Sequence, residues 1–238
     1  MKGQKVAVVL GVGPRLGAAV SRRFAREGFA VGLMARDKKK LTAIQKEIEG
    51  VGGTAVPISV DATDEKSVKS AFDEVHEKLG SVEVFVYNAG AFRKGGILDI
   101  TTEEFEKCWK ANCLGAFLGV QQVLPMMLEQ GRGTIIFTGA TGSMRGSAYF
   151  SCLAVGKFGL RALAQSIARE FGPKGIHVAH VIIDGQIATP RQWSTEPDRE
   201  AHTFLAPEAI AESYWQLYIQ DLTAWTLELD LRPSVERF

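Results

Sequence analysis

Cysteine is scarce in this chain: three thiols, Cys108, Cys113 and Cys152, stand in no CxxC pair and no Cys/His cluster. That excludes a disulfide framework and a structural zinc site, and it fits a reducing compartment. Charge of one sign is not in excess either. The 28 basic side chains face 27 acidic ones, which argues against a nucleic-acid or polyanion binder with its clustered basic surplus. The one dense cationic run, Lys38-Lys39-Lys40, reads as the solvated start of a helix. No apolar run approaches the roughly 20 residues needed to span a bilayer. The first apolar run, behind Met1-Lys2-Gly3-Gln4-Lys5, is too short for the core of a signal peptide. The expectation is a soluble, cytoplasmic protein with no membrane or nucleic-acid partner. Histidine is sparse as well. His180 lies inside an apolar strand as a core residue, and His76, His177 and His202 show no partner spacing, so no metal site is expected.

What is present is a regular alternation of strand and helix patterns. Val6–Leu10 is continuously apolar, as in a parallel strand buried on both faces. Further strands are expected at Phe29–Met34, Ala55–Val60, Val82–Tyr87, Gly133–Thr138, Ile176–Ile183 and Thr226–Leu231. Between them, helical spacing recurs at Leu41, Ile44 and Ile48, and at Val68, Phe72, Val75 and Leu79. A long helix is expected over Glu103–Gln130, bent or interrupted near Pro125, and another over Ser151–Phe171. With hydrophobic residues at 46%, a sizeable core can form. The pattern predicts one Rossmann-type doubly wound α/β domain over residues 1–238, a parallel sheet of about seven strands with helices on both faces. The aperiodic stretch Pro190–Thr203, within a segment at 186–206, reads as a lid over the substrate side.

The first strand runs into Gly11-Val12-Gly13-Pro14-Arg15-Leu16-Gly17 and then a helix. Such a turn lets the backbone approach a pyrophosphate, and the helix N-terminus offers free N–H groups to it. After the second strand, Ala35 leaves no carboxylate for a ribose and Arg36 follows at once, with Arg15 as a second cation. This favours NADP(H) over NAD(H), with Asp37 as the alternative ribose ligand.

These features, with Asp61-Ala62 after the third strand, Asn88-Ala89-Gly90 after the fourth, Asn112, Lys157, Asp184-Gly185 and Thr189, resemble the short-chain dehydrogenase/reductase family over essentially the whole chain. The resemblance implies that Asp61 contacts the adenine, Asn88 and Ala89 line the cofactor, and Thr189 holds the nicotinamide carboxamide. It also implies a tetrad of Asn112, Lys157, a serine and a tyrosine, and assembly as a homodimer or homotetramer through the long helix and the helix of Lys157. Phe105, Trp109, Phe117 and Met127 add apolar bulk that agrees with such assembly.

The sequence departs from the family at the centre of that tetrad. The tyrosine position, four residues before Lys157, is Leu153, and the serine position is Ala140. Neither side chain can donate a proton. Replacement donors are Tyr149, Thr141 or Ser143, Lys157 itself, or a water held by Asn112 and Lys157. Cys152 reads as a buried inert thiol. Two readings follow: an NADP(H)-dependent oxidoreductase of a carbonyl or alcohol substrate, apolar in character, with a displaced proton donor, or a non-catalytic NADP(H)-binding sensor or subunit.

Overall fold

The computed structural model describes residues 3–188 and 200–236. In chain order the regular elements are β1 (Val6–Leu10), α1 (Leu16–Arg26), β2 (Ala30–Ala35), α2 (Lys38–Glu49), β3 (Thr54–Ser59), α3 (Glu65–Lys78) and β4 (Val82–Tyr87). They continue with α4 (Thr102–Trp109), α5 (Gly115–Gln130), β5 (Gly133–Thr138), α6 (Ser151–Phe171), β6 (Ile176–Ile183), α7 (Pro207–Tyr218) and β7 (Glu228–Leu231). The strands form one sheet in the order β3-β2-β1-β4-β5-β6-β7, and every pairing is parallel. This is the doubly wound Rossmann-type arrangement the sequence predicts. Expected strand limits are displaced by a residue or two, with Phe29 packed in the core just ahead of β2.

Alternation along the strands builds the two core layers. Val6, Val8 and Leu10 of β1 pack with Phe72 and Val75 of α3, Val123 of α5 and Leu160 of α6. Ala7 and Val9 face the other way, toward Leu16 and Phe24 of α1, Leu41 of α2 and Tyr214 of α7. With both faces covered, the inner strands have no need of polar alternation, which is why they read as unbroken apolar runs. Local signals set the helix starts. Asp37 accepts from Lys39 N at 3.1 Å to cap α2, Asp64 accepts from Ser67 N at 2.6 Å to cap α3, and Thr101 with Glu104 forms a capping box on α4.

The long helix departs from expectation in two ways. Its irregularity is a π turn at Lys110–Leu114 between α4 and α5, whereas Pro125 sits inside α5 without breaking it. A proline removes one N–H from the ladder, yet the helix continues through it. The joined helix, Thr102–Gln130, also contains an 18-residue window, of mean hydropathy 1.3, that is apolar enough to cross a membrane by length and composition. The expectation that no stretch reaches that length therefore needs correction. In the fold this helix lies against the sheet: Ala116, Val120, Val123 and Met127 are buried in the core. Met127 is thus a core residue rather than part of an outward face, because it fills the space beside Gly133, where a Cβ would lie within 3 Å of its Cβ.

Candidate active site

The chain leaves β1 toward β2 and β3 on one side and resumes at β4 on the other, so a crevice opens between the carboxyl ends of β1 and β4. The glycine turn occupies it. Gly11 has φ +100° and donates to Met34 O at 2.9 Å, and a Cβ there would overlap the backbone nitrogen of Ala89. The neighbouring turn closes on it: Asn88 N donates to Leu10 O at 2.7 Å and Asn88 Nδ2 to Gly11 O at 2.9 Å. Gly17 is held close by helix packing, since a Cβ would come within 2.7 Å of Val12 Cα. Gly13 differs, for a Cβ on it would point into open space. The helix α1 begins at Leu16 with no side chain capping its first N–H groups. A backbone stripped of Cβ atoms in front of an uncapped helix N-terminus fits a pyrophosphate.

Two cavities share this turn. One, of about 370 Å³, runs from Gly11 and Gly13 past Arg36, Asp61 and Ala62 to Lys107. The other, of about 460 Å³, runs from the same glycines past Arg15, Leu16 and Gly17 to Asn112, Leu153 and Lys157. Asn88, Gly90 and Ala91 wall both. On the first side, Asp61 Oδ1 accepts from Thr63 N at 2.9 Å and Thr63 Oγ1 at 2.7 Å. The Thr63 N–H, then its hydroxyl, hold that carboxyl below its ordinary pKa, with Arg36 adding to the effect. Asp37, the alternative ribose ligand, is engaged by the α2 N-terminus and lies 3.5 Å from Lys40 Nζ. Lys107 is a cation on this wall that the sequence reading did not single out.

On the second side the π turn sets Asn112. Its Nδ2 donates to Ala91 O at 2.8 Å and to Cys108 O at 2.9 Å. Its Oδ1 is buried with no hydrogen-bond partner. The Tyr87 hydroxyl donates to Ala111 O inside the same turn at 2.7 Å. Lys157, 6% exposed, donates from Nζ to Thr138 O at 2.7 Å. Burial pulls its pKa down to about 8. Thr138, at the carboxyl end of β5, is a positioning residue that sequence reasoning missed; its place beside Gly139 was the available signal. Asn112 Oδ1 and Lys157 Nζ converge below Gly90, where a Cβ would lie 2.9 Å from the first and 3.8 Å from the second. Leu153 lines the same cavity. Ala140 lines an adjoining one of about 310 Å³ together with Arg15, Gly185 and Ile187.

The expected replacement hydroxyls lie elsewhere. Thr141 Oγ1 donates to Asp184 Oδ1 at 2.5 Å. Asp184 is buried between Thr141, Arg145 and Arg232; its demand for donors turns Thr141 away from the cavity. Ser143 is buried, accepts from Ala140 N at 3.1 Å and faces His180 Nε2 at 3.3 Å. Tyr149 is 61% exposed on a turn with φ +69°, its carbonyl accepting from Gly95 N at 3.0 Å. Neither Thr141 nor Tyr149 lines the cavity of Lys157. Gly185, with φ +146°, packs against Pro233. Thr189 and most of the 186–206 segment lie outside the described residues, whose edges there are joined by a bridge between Ile187 and Leu205. His180 sits in the core as expected, pushed down to about 4 by burial and then by the charge of Lys157.

A parallel seven-stranded sheet with a glycine turn, Asn88-Ala89-Gly90, Asn112 and Lys157 around one crevice defines a dinucleotide-fold oxidoreductase. The short chain dehydrogenase family profile matches residues 5–200, and the chain belongs to that family. It is 35% identical over 189 residues to a short-chain dehydrogenase/reductase of Armillaria gallica, covering 78% of this chain and 72% of the relative. A solved short-chain dehydrogenase from Rhodopseudomonas palustris superposes with a TM-score of 0.84 at 39% identity, covering 96% of this chain and 98% of that one. An alcohol dehydrogenase from Thermococcus sibiricus complexed with 5-hydroxy-NADP superposes with a TM-score of 0.88 at 26% identity, covering 98% of each chain.

Proposed function

We propose that this protein transfers hydride between NADP(H) and an apolar carbonyl or alcohol substrate, with the usual serine and tyrosine replaced by Ala140 and Leu153. The observation that carries the reading is the pair of cavities meeting at Gly11 and Gly13, one lined by Arg36 and the other by Asn112 and Lys157. Gly11, Gly13, Arg15, Leu16 and Gly17 with the α1 N-terminus would hold the pyrophosphate. Asp61 and Ala62 would face the adenine, Arg36 the 2′-phosphate, and Asn88, Ala89, Gly90, Lys157, Gly185 and Thr189 the nicotinamide ribose and ring. The commitment of Asp37 to its helix cap supports NADP(H) over NAD(H), as does the NADP analogue in the Thermococcus enzyme. When bound, the reduced cofactor supplies the hydride for the carbonyl carbon. Leu153 presents an apolar wall, and Ile187, at the edge of the 186–206 segment we read as a lid, closes the same side.

Calorimetry tests the cofactor half. NADPH should bind at least tenfold more tightly than NADH, as a lost charge-assisted Arg–phosphate pair costs about 1.5–3 kcal/mol. Arg36→Ala should remove the difference, and equal affinities in the native protein would assign the ribose to Asp37. The non-catalytic reading draws on Ala140 and Leu153 and on the orientation of Thr141 and Tyr149; an NADPH-binding protein that reduces no ketone, aldehyde or quinone would establish it. We also infer a homo-oligomer working in the cytoplasm, with the long helix against α6 of a second copy. Trp109 and Phe117 on the first and Val155 and Phe158 on the second are solvent-exposed in the isolated chain. Light scattering giving a 25.9 kDa particle at micromolar concentration would refute assembly.

A further inference from the structure

We propose that Lys157 is itself the proton donor of this site, passing a proton from Nζ to the substrate oxygen directly or through a water held by Asn112 Oδ1. The inference rests on the oxidoreductase reading above. Three observations carry it. Thr141 is bonded to Asp184 and Tyr149 is exposed, neither lines the cavity, and Leu153 stands at the family's donor position. Lys157 lines the cavity, and its one bond to Thr138 O leaves two of three ammonium protons, enough for the nicotinamide ribose and for one further acceptor. Asn112 Oδ1 is buried without a partner and converges with Nζ below Gly90. An acceptor so placed invites a water or hydroxyl rather than standing idle.

The electrostatics around Nζ agree. Among the described residues no carboxylate bonds to it. On the packed elements, Glu228 of β7 is taken by Arg161 and Gln165. Asp184 beyond β6 is taken by Thr141 and the two arginines. His180 of β6 is kept neutral. Cys108 of α4 and Cys113 of the π turn are pushed upward by burial, and Cys152 lies buried on α6 itself. Arg15 on the opposite cavity wall is cationic. Nothing there pins the ammonium as an ion-pair partner, and burial alone brings it to about 8, where it can release a proton near neutral pH.

The step balances. As hydride enters the carbonyl carbon and a C–H bond forms, the C=O π pair moves onto oxygen. A Lys157 N–H bond breaks as an O–H bond forms, and the neutral amine regains its proton from water. Carbonyl, reduced cofactor and one proton thus give alcohol and oxidised cofactor. In the opposite direction the neutral amine is the base, so the two directions require opposite protonation states.

The test uses the full chain with NADPH and NADP as cofactors and acetophenone, benzaldehyde and their alcohols as probes. Reduction should be level below about pH 8 and fall tenfold per pH unit above it, whereas oxidation should rise through the same pH. Lys157→Arg keeps a cation but not a releasable proton. Both limbs should vanish in it, and the rate at saturating NADPH should fall by about 10²-fold, with calorimetry reporting cofactor affinity separately. Independently of turnover, a ¹³C NMR resonance of lysine Cε absent from Lys157→Arg should titrate with a midpoint near pH 8. An ordinary midpoint for that resonance, or an arginine variant that keeps the native rate and pH limb, overturns the assignment. A limb lost in Tyr149→Phe instead would move the donor to Tyr149. If NADPH binds and no probe is turned over in either direction, the oxidoreductase reading itself falls and this inference with it.

Discussion

Restoring the missing donor should raise carbonyl reduction in a folded protein. The change is Ala140→Ser with Leu153→Tyr. Leu153 borders a cavity of about 460 Å³ rather than the sealed core, so a phenol there extends into open space. The contact to watch is Gly142, where a built Cβ would lie 3.2 Å from Leu153 Cγ. Overpacking in a closed core costs about 1–3 kcal/mol, and beside an open cavity the lower figure applies. Lys157 lies one turn along the same helix, so its charge would hold the new phenol below its usual pKa. A positioned general acid contributes about 10²–10⁴-fold. Because Lys157 already supplies part of that in the native site, a gain near the lower bound is expected, about 10²-fold or 2.7 kcal/mol of barrier. The assay is the absorbance loss of NADPH with acetophenone and benzaldehyde at saturating cofactor, after unfolding curves and calorimetry have shown the variant folded and cofactor-competent. The high-pH limb of reduction should also move upward, toward a tyrosine value. A folded, NADPH-binding double variant with no gain on any carbonyl would refute the reasoning, because the substrate side would then be lost along with the donor.

The first two glycines of the turn separate fold from function. Gly11→Ala should lower the unfolding free energy by about 1–3 kcal/mol or more and abolish NADPH binding, since φ is +100° and the Cβ meets Ala89. Gly13→Ala should leave the unfolding midpoint unchanged while weakening NADPH at least about tenfold, because its Cβ enters only the cleft. Glu228 is held down to about 2 by Arg161, with desolvation opposing and Gln165 assisting. A depressed folded pKa gives stability that is present above the unfolded value and lost as pH falls from about 4.5 toward 2. Arg161→Ala should therefore cost about 2 kcal/mol near neutral pH, discounted for the pair's partial exposure, and far less near pH 2. Urea unfolding at the two pH values checks this; an equal cost at both would remove the ion pair as its cause.

The sequence by itself determined the sheet, the crevice and most of its lining. Apolar runs buried on two faces, the glycine turn and the spacing from Asn112 to Lys157 are short-range patterns, and short-range patterns survive in a linear string. It likewise showed that positions 140 and 153 are alanine and leucine, which carry no hydroxyl. Tertiary structure alone decided where the remaining hydroxyls point. Thr141 is turned by Asp184, 43 positions away, and Tyr149 by a left-handed turn tied to Gly95. Tertiary structure also placed the π turn at Asn112 and left Pro125 within an unbroken helix, because a helix irregularity depends on what packs beside it as much as on its own residues. Nor could spacing reveal that Thr138 lends its carbonyl to Lys157. That bond joins a strand end to a helix, and only folding brings them together.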